Sequence, residues 1–153
     1  MSKEALIGQV AQELRSLQQS FDAFDEAAAT RLGVNRTDLR CLDLVLGRGP
    51  LSAGELSTAL KLSPAATTTV IDRLERAGLV ARTRDAANRR RVLVTATEAA
   101  GKAEAEVYLP VGAAAAEALS RYDEKQLATI LDFLQVARQV QEGQAARLGV
   151  TSD

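Results

Sequence analysis

A chain of 153 residues with 3% aromatics and no tryptophan must build its core from Leu, Val, Ile and Ala, which favours a mainly helical protein. With no histidine and one cysteine, Cys41, it excludes zinc fingers, disulfide frameworks and any triad with an imidazole base, and no paired carboxylates replace them. The formal charge of -1 hides an asymmetry: residues 61–102 hold nine basic and four acidic side chains, a net of +5 that leaves -6 for the rest, an electrostatic footprint for a polyanion.

No apolar stretch approaches the roughly 20 residues that span a bilayer, and the N-terminus lacks a basic region followed by an apolar one, so a cytoplasmic protein without membrane contact is expected. Catalytic residues, metal ligands and cofactors are expected to be absent.

Along the chain, Leu6, Val10, Leu14, Leu17, Phe21 and Phe24 form the stripe of an amphipathic helix that Gly33 ends. Asn35 and Asp38 can cap a second helix through Leu39, Leu42 and Leu46, stopped by Gly47, Gly49 and Pro50. Ser52 and Glu55 form a capping box for a short helix from about Ala53 to Leu60. Ser63 as N-cap, with Pro64 in the first turn, opens a fourth helix to about Ala77, and Gly78 supplies a left-handed stop. Two short helices joined by so tight a turn are a helix-turn-helix.

Leu79–Arg84 and Val92–Thr95 are β-prone runs around a polar, arginine-rich turn and predict a hairpin. From Thr97 the chain returns to helix through Gly101 to Ala118, with a kink expected at Pro110. Asp123 and Gln126 cap a last helix whose stripe includes Leu127, Ile130, Leu131, Leu134 and Ala137.

This order of elements, with Leu74-Glu75-Arg76-Ala77-Gly78-Leu79-Val80-Ala81-Arg82, then Asn88-Arg89-Arg90-Arg91, then Thr97-Glu98-Ala99-Ala100-Gly101, resembles the MarR (multiple antibiotic resistance regulator) family over nearly the whole chain. Asn88 stands where the family usually has Asp, so it can make the local turn but not pair with an arginine. Ala96 stands where the family usually has Leu, which implies looser packing at the wing base. The expected fold is mainly α with a small β-hairpin wing: a winged helix-turn-helix at 33–100, an N-terminal dimerisation helix at 1–32 and C-terminal dimerisation helices at 101–150.

In such a module the fourth helix lies in the major groove of double-stranded DNA. Thr67, Val70, Ile71 and Leu74 share one face and should point into the core. Pro64, Ala65, Ala66, Thr68, Thr69, Asp72, Arg73 and Arg76 are left at or near the DNA side. The threonine hydroxyls can bond a phosphate or base edge, and Arg73 is the leading phosphate or guanine contact. The alternative for Arg73 and Arg76 is a surface ion pair with Asp72 or Glu75. In the hairpin, Arg82, Arg84, Arg89, Arg90 and Arg91 cannot all face DNA at once, because side chains alternate along a strand. Arg89 and Arg90 are expected at the tip with Arg84 nearby, and the resemblance implies that a wing arginine enters the minor groove.

The stripes at the two ends of the chain are not needed to complete a winged helix, so a two-fold homodimer is expected, reading half-sites about 10 to 10.5 bp apart. The resemblance further implies a repressor released by a small aromatic or phenolic effector in a crevice between dimer helices and winged helix, with Phe24 and Arg40 as candidate lining. Cys41 is either a buried structural thiol or an oxidant sensor. The competing reading of the whole is a winged-helix module that binds protein and not DNA.

Overall fold

The computed structural model describes residues 1–149; the final position of the 101–150 segment lies outside the described residues. Six helices and one hairpin follow in the order α1 (Lys3–Leu32), α2 (Arg36–Arg48), α3 (Ala53–Leu60), α4 (Pro64–Arg76), β1 (Val80–Arg84), β2 (Val92–Ala96), α5 (Glu98–Leu119) and α6 (Glu124–Gly149).

The helix ends are set by local chemistry. Asn35 with Asp38 and Ser52 with Glu55 close reciprocal capping boxes on α2 and α3, satisfying backbone donors that a helix start leaves open. Ser63 accepts from the Ala66 amide at 3.1 Å and Pro64 begins α4. Gly78, at φ 75°, takes the left-handed conformation that lets the chain leave α4 and enter the hairpin. The turn between α3 and α4 turns on Lys61, left-handed at φ 54°, whose amide closes on Ser57 and Thr58.

β1 and β2 pair antiparallel in the register Val80↔Ala96, Arg82↔Val94, Arg84↔Val92. Leu51 adds an isolated bridge to Val94 through hydrogen bonds of 3.1 and 2.7 Å, so the loop before α3 lies on the hairpin edge. The Thr97 hydroxyl donates to the Gly78 carbonyl at 2.7 Å and accepts from the Ala100 amide at 3.1 Å, joining the hairpin base to the start of α5.

The chain divides into two compact units, Met1–Val107 and Tyr108–Asp153, and the boundary falls inside α5. The N-terminal helix therefore belongs to the same unit as the winged module. In the first unit, Leu42, Val45, Leu56, Leu60, Val70, Ile71, Leu74, Val80 and Val94 form one core to which α2, α3, α4 and the hairpin all contribute. Burial of these aliphatic side chains is the main force holding α4 against its neighbours. Ala96, with its short side chain, packs half-buried against this core. In the second unit, α6 begins at a cap in which Asp123 accepts from the Gln126 amide at 2.8 Å and Gln126 accepts from the Asp123 amide at 2.9 Å. Pro110 sits inside α5, which continues as one helix through it. No described helix is long and apolar enough to cross a membrane.

Candidate nucleic-acid interface

α4 buries Thr67, Val70, Ile71 and Leu74, the face its sequence marks as core. Pro64, Ala65, Thr68 and Thr69 are exposed and Ala66 is half-buried, so the opposite face of the first two turns is free of the protein. The hydroxyls of Thr68 and Thr69 donate to the carbonyls of Pro64 and Ala65 at 3.0 and 3.1 Å. This back-bonding fixes their rotamers and leaves oxygen lone pairs and methyl groups facing outward.

Arg73, whose alternative to a DNA contact was an ion pair with Asp72 or Glu75, pairs with neither of them but with Asp38. Its Nε donates to both carboxylate oxygens of Asp38 at 3.1 Å and its Nη2 donates to Oδ1 at 2.8 Å. Asp38 is 1% exposed, and its carboxylate raises the Arg73 guanidinium above its ordinary pKa, chiefly through the hydrogen bonds. The expected competitors for Arg73 are taken elsewhere. Arg82 on β1 donates to Asp72 at 2.6 Å and to Glu75 at 2.9 Å, and its own amide donates to Glu75 at 3.1 Å. Thus Asp72 and Glu75 clamp the wing to α4, and Arg76 has no side-chain partner among the described residues.

The wing arginines divide in the same way. Arg84 donates to the Arg89 carbonyl at 2.9 Å, bracing the loop. Arg91 reaches Glu55 at 2.7 Å and Asp85 at 3.7 Å, so an ion pair holds the wing although Asn88 supplies none. Asn88 instead accepts from the Arg90 amide at 3.2 Å, and Asp85 from the Ala87 amide at 2.9 Å. These short local bonds shape the turn. Arg89 and Arg90 are exposed, and their guanidinium groups have no partner among the described residues. Four of the seven arginines from 73 to 91 are thus engaged within the protein, and Arg76, Arg89 and Arg90 remain for an external anion.

Sequence reasoning missed Asp38 as a partner of α4 and Glu55 as a partner of the wing, because both were already accounted for as helix caps. Their second roles had no local signal. Arg40 is exposed and lines an open groove of about 450 Å³ with Asp43, Leu44, Gly47, Arg48 and Ala59, whereas Phe24 is half-buried and does not line it. Cys41 is fully buried, and its thiol is pushed up to about 11 by burial and then by Asp38, so it stays protonated at neutral pH. Among the described residues no group of three or more Cys, Asp or Glu side chains could hold a metal ion.

A helix-turn-helix braced by a two-stranded wing, with free arginines at the wing tip and at the end of its second helix, defines a winged-helix protein of the nucleic-acid-binding class. The sequence profile of the MarR family matches residues 34–92. An uncharacterized HTH-type transcriptional regulator, YcgE of Bacillus subtilis (strain 168), is 36% identical over 125 residues, 82% of this chain and 81% of its own length. A MarR family protein from Bacillus stearothermophilus has the same fold at a TM-score of 0.70 and 24% identity, covering 93% of this chain and 99% of that one. The YusO protein from Bacillus subtilis matches at a TM-score of 0.69 and 24% identity, covering 91% and 99%. The chain belongs to the MarR family of transcriptional regulators.

Proposed function

We propose that this protein is a cytoplasmic homodimeric repressor that binds a pseudo-palindromic operator and is released by a small effector. The observation that carries the DNA reading is the partition of arginines. Arg73, Arg82, Arg84 and Arg91 hold the module together, while Arg76 at the end of α4 and Arg89 and Arg90 in the wing loop stand exposed and unpaired among the described residues. Unneutralised guanidinium groups next to a helix of major-groove dimensions suit a phosphate backbone with base edges between its strands. On this reading α4 presents Pro64, Ala65, Ala66, Thr68 and Thr69 to the major groove, Arg76 and Arg84 lie near the backbone, and Arg89 or Arg90 enters the minor groove.

The dimer is supported by apolar side chains that the single chain leaves open. Leu6, Val10, Leu17 and Phe21 on α1, and Leu131, Phe133 and Leu134 on α6, are all exposed. Such stripes are buried most simply by a second copy about a two-fold axis. An effector would act through different affinities for DNA-competent and incompetent states, and the groove beside Arg40 and Arg48 suits a small aromatic acid.

The test is binding to the DNA upstream of the protein's own coding sequence across a salt series, with Arg89→Ala/Arg90→Ala alongside. Counterion release predicts that log K falls with log salt by about 0.9 per neutralised phosphate, and that the variant binds more weakly with a flatter slope. Absence of binding at low salt moves the reading to a protein-interaction module. Strong binding indifferent to both arginines overturns the wing assignment alone.

A further inference from the structure

We propose that Asp38 is the positioning residue of the recognition helix: through Arg73 it fixes how α4 presents Thr68 and Thr69. The inference rests on the DNA-binding reading above. The buried face of α4 is Val70, Ile71 and Leu74 beside Thr67, and aliphatic contacts are non-directional. They hold the helix down, and Arg82 ties the Asp72 and Glu75 side of it to the wing, but neither gives α4 a directional bond to α2. The three hydrogen bonds from Arg73 to Asp38 are directional and charge-assisted, and they come from a half-buried position one turn beyond Thr69. Asp38 is itself held, because its Oδ2 accepts the Asn35 amide at 3.2 Å and its own amide donates to Asn35 at 2.9 Å.

The anchor extends one step further. Arg36, next to that cap, donates to the Asp22 carbonyl at 3.1 Å and lies 3.6 Å from the Asp22 and Asp25 carboxylates, so the N-terminus of α2 is referenced to α1. A displacement of α1 against α2 would therefore reach α4 through Asn35, Asp38 and Arg73. Base readout depends on hydrogen-bond geometry and phosphate attraction does not, so this pair should govern discrimination and leave non-specific affinity alone.

The experiment uses the full-length protein, a duplex that the wild-type protein selects from a random pool, and a scrambled duplex of equal length. Anisotropy titrations across a salt series compare wild type with Arg73→Gln and Arg73→Lys. Both variants are expected to lose about tenfold or more in affinity for the selected duplex, since neither reproduces the planar fork, while the scrambled duplex and the salt slope stay unchanged. If Arg73→Gln weakens both duplexes alike and flattens the slope by about 0.9 per protomer while Arg73→Lys restores both, Arg73 is a phosphate ligand and the proposal falls. It also falls if neither variant changes discrimination. Should Arg73→Gln fail to fold with an uncompensated carboxylate at Asp38, Asp38→Asn/Arg73→Gln removes that charge and is expected to show the same lost discrimination. Failure of the wild-type protein to enrich any duplex removes the DNA-binding reading itself, a result distinct from the others.

Discussion

Arg91, just before β2, donates to Glu55 Oε1 at 2.7 Å across 36 residues of sequence, while the other oxygen of the same carboxylate closes the α3 cap by accepting from the Ser52 amide at 2.7 Å. One side chain thus serves a local helix end and a distant wing. Glu55→Gln keeps an acceptor for the cap and loses the charge that holds Arg91, so its main effect should be on the wing: DNA affinity falls about threefold with little change in Tm. Glu55→Ala loses the cap as well and should lower Tm further. Equal Tm for the two variants would refute the separation of roles. The hydrogen bonds from Ser52, then Arg91, lower the Glu55 pKa below its ordinary value of 4.5. Its contribution is therefore present above that value and is lost as pH falls through the lower folded-state pKa.

The open stripes at the chain ends give a second prediction. Phe21→Asp on α1 or Leu134→Asp on α6 places a charge on a face that a dimer would bury, while either side chain is already exposed in the single chain. Each variant should sediment as a monomer or a weakened dimer with its far-UV circular dichroism retained. Wild-type sedimentation of both variants would assign the stripes to another role.

Cys41 should behave as core. With its thiol raised from an ordinary 9.0 to about 11, native protein at pH 8 should react with a thiol reagent only at the rate of opening, and peroxide should leave DNA binding unchanged. Because the folded-state pKa is the higher one, this group's contribution to stability declines as pH rises above about 9. Cys41→Ser buries a hydroxyl in the aliphatic core and should cost about 1–3 kcal/mol in chemical denaturation. Rapid stoichiometric labelling of folded protein would contradict this placement.

Glu104 on α5 has a buried oxygen, Oε2, without a hydrogen-bond partner, and burial followed by the Asp43 charge raises its pKa above the ordinary 4.5. A carboxyl whose folded-state pKa is raised binds protons more readily in the native state, so its contribution to stability declines as pH rises above the ordinary glutamate value. Glu104→Gln should therefore stabilise the protein at pH 7 and have little effect near pH 4, as read from chemical denaturation at the two pH values. A destabilised Glu104→Gln at pH 7 would show that the carboxylate has a favourable partner.

Much of this architecture is local, and the sequence expresses it. The stripe of α1, the cap pairs Asn35/Asp38 and Ser52/Glu55, the Ser63-Pro64 start and the Gly78 stop of α4 act within a turn or two of the chain, where spacing alone decides the geometry. The buried face of α4 followed from its 3.6-residue period.

What tertiary structure alone decided is which charges meet. By sequence, Asp72 and Glu75 are the natural partners of Arg73 and Arg76, being next to them in the chain. In the folded protein Arg82 takes both acids, because β1 folds back along α4, and Arg73 turns to Asp38 on α2. A guanidinium on a long, flexible stem can reach several carboxylates, so its partner depends on distances that exist only once the helices have packed. The sequence by itself determined a winged helix-turn-helix with a basic surface. The packing of α2, α4 and the wing determined which arginines are paired inside it and which are left exposed without a partner among the described residues.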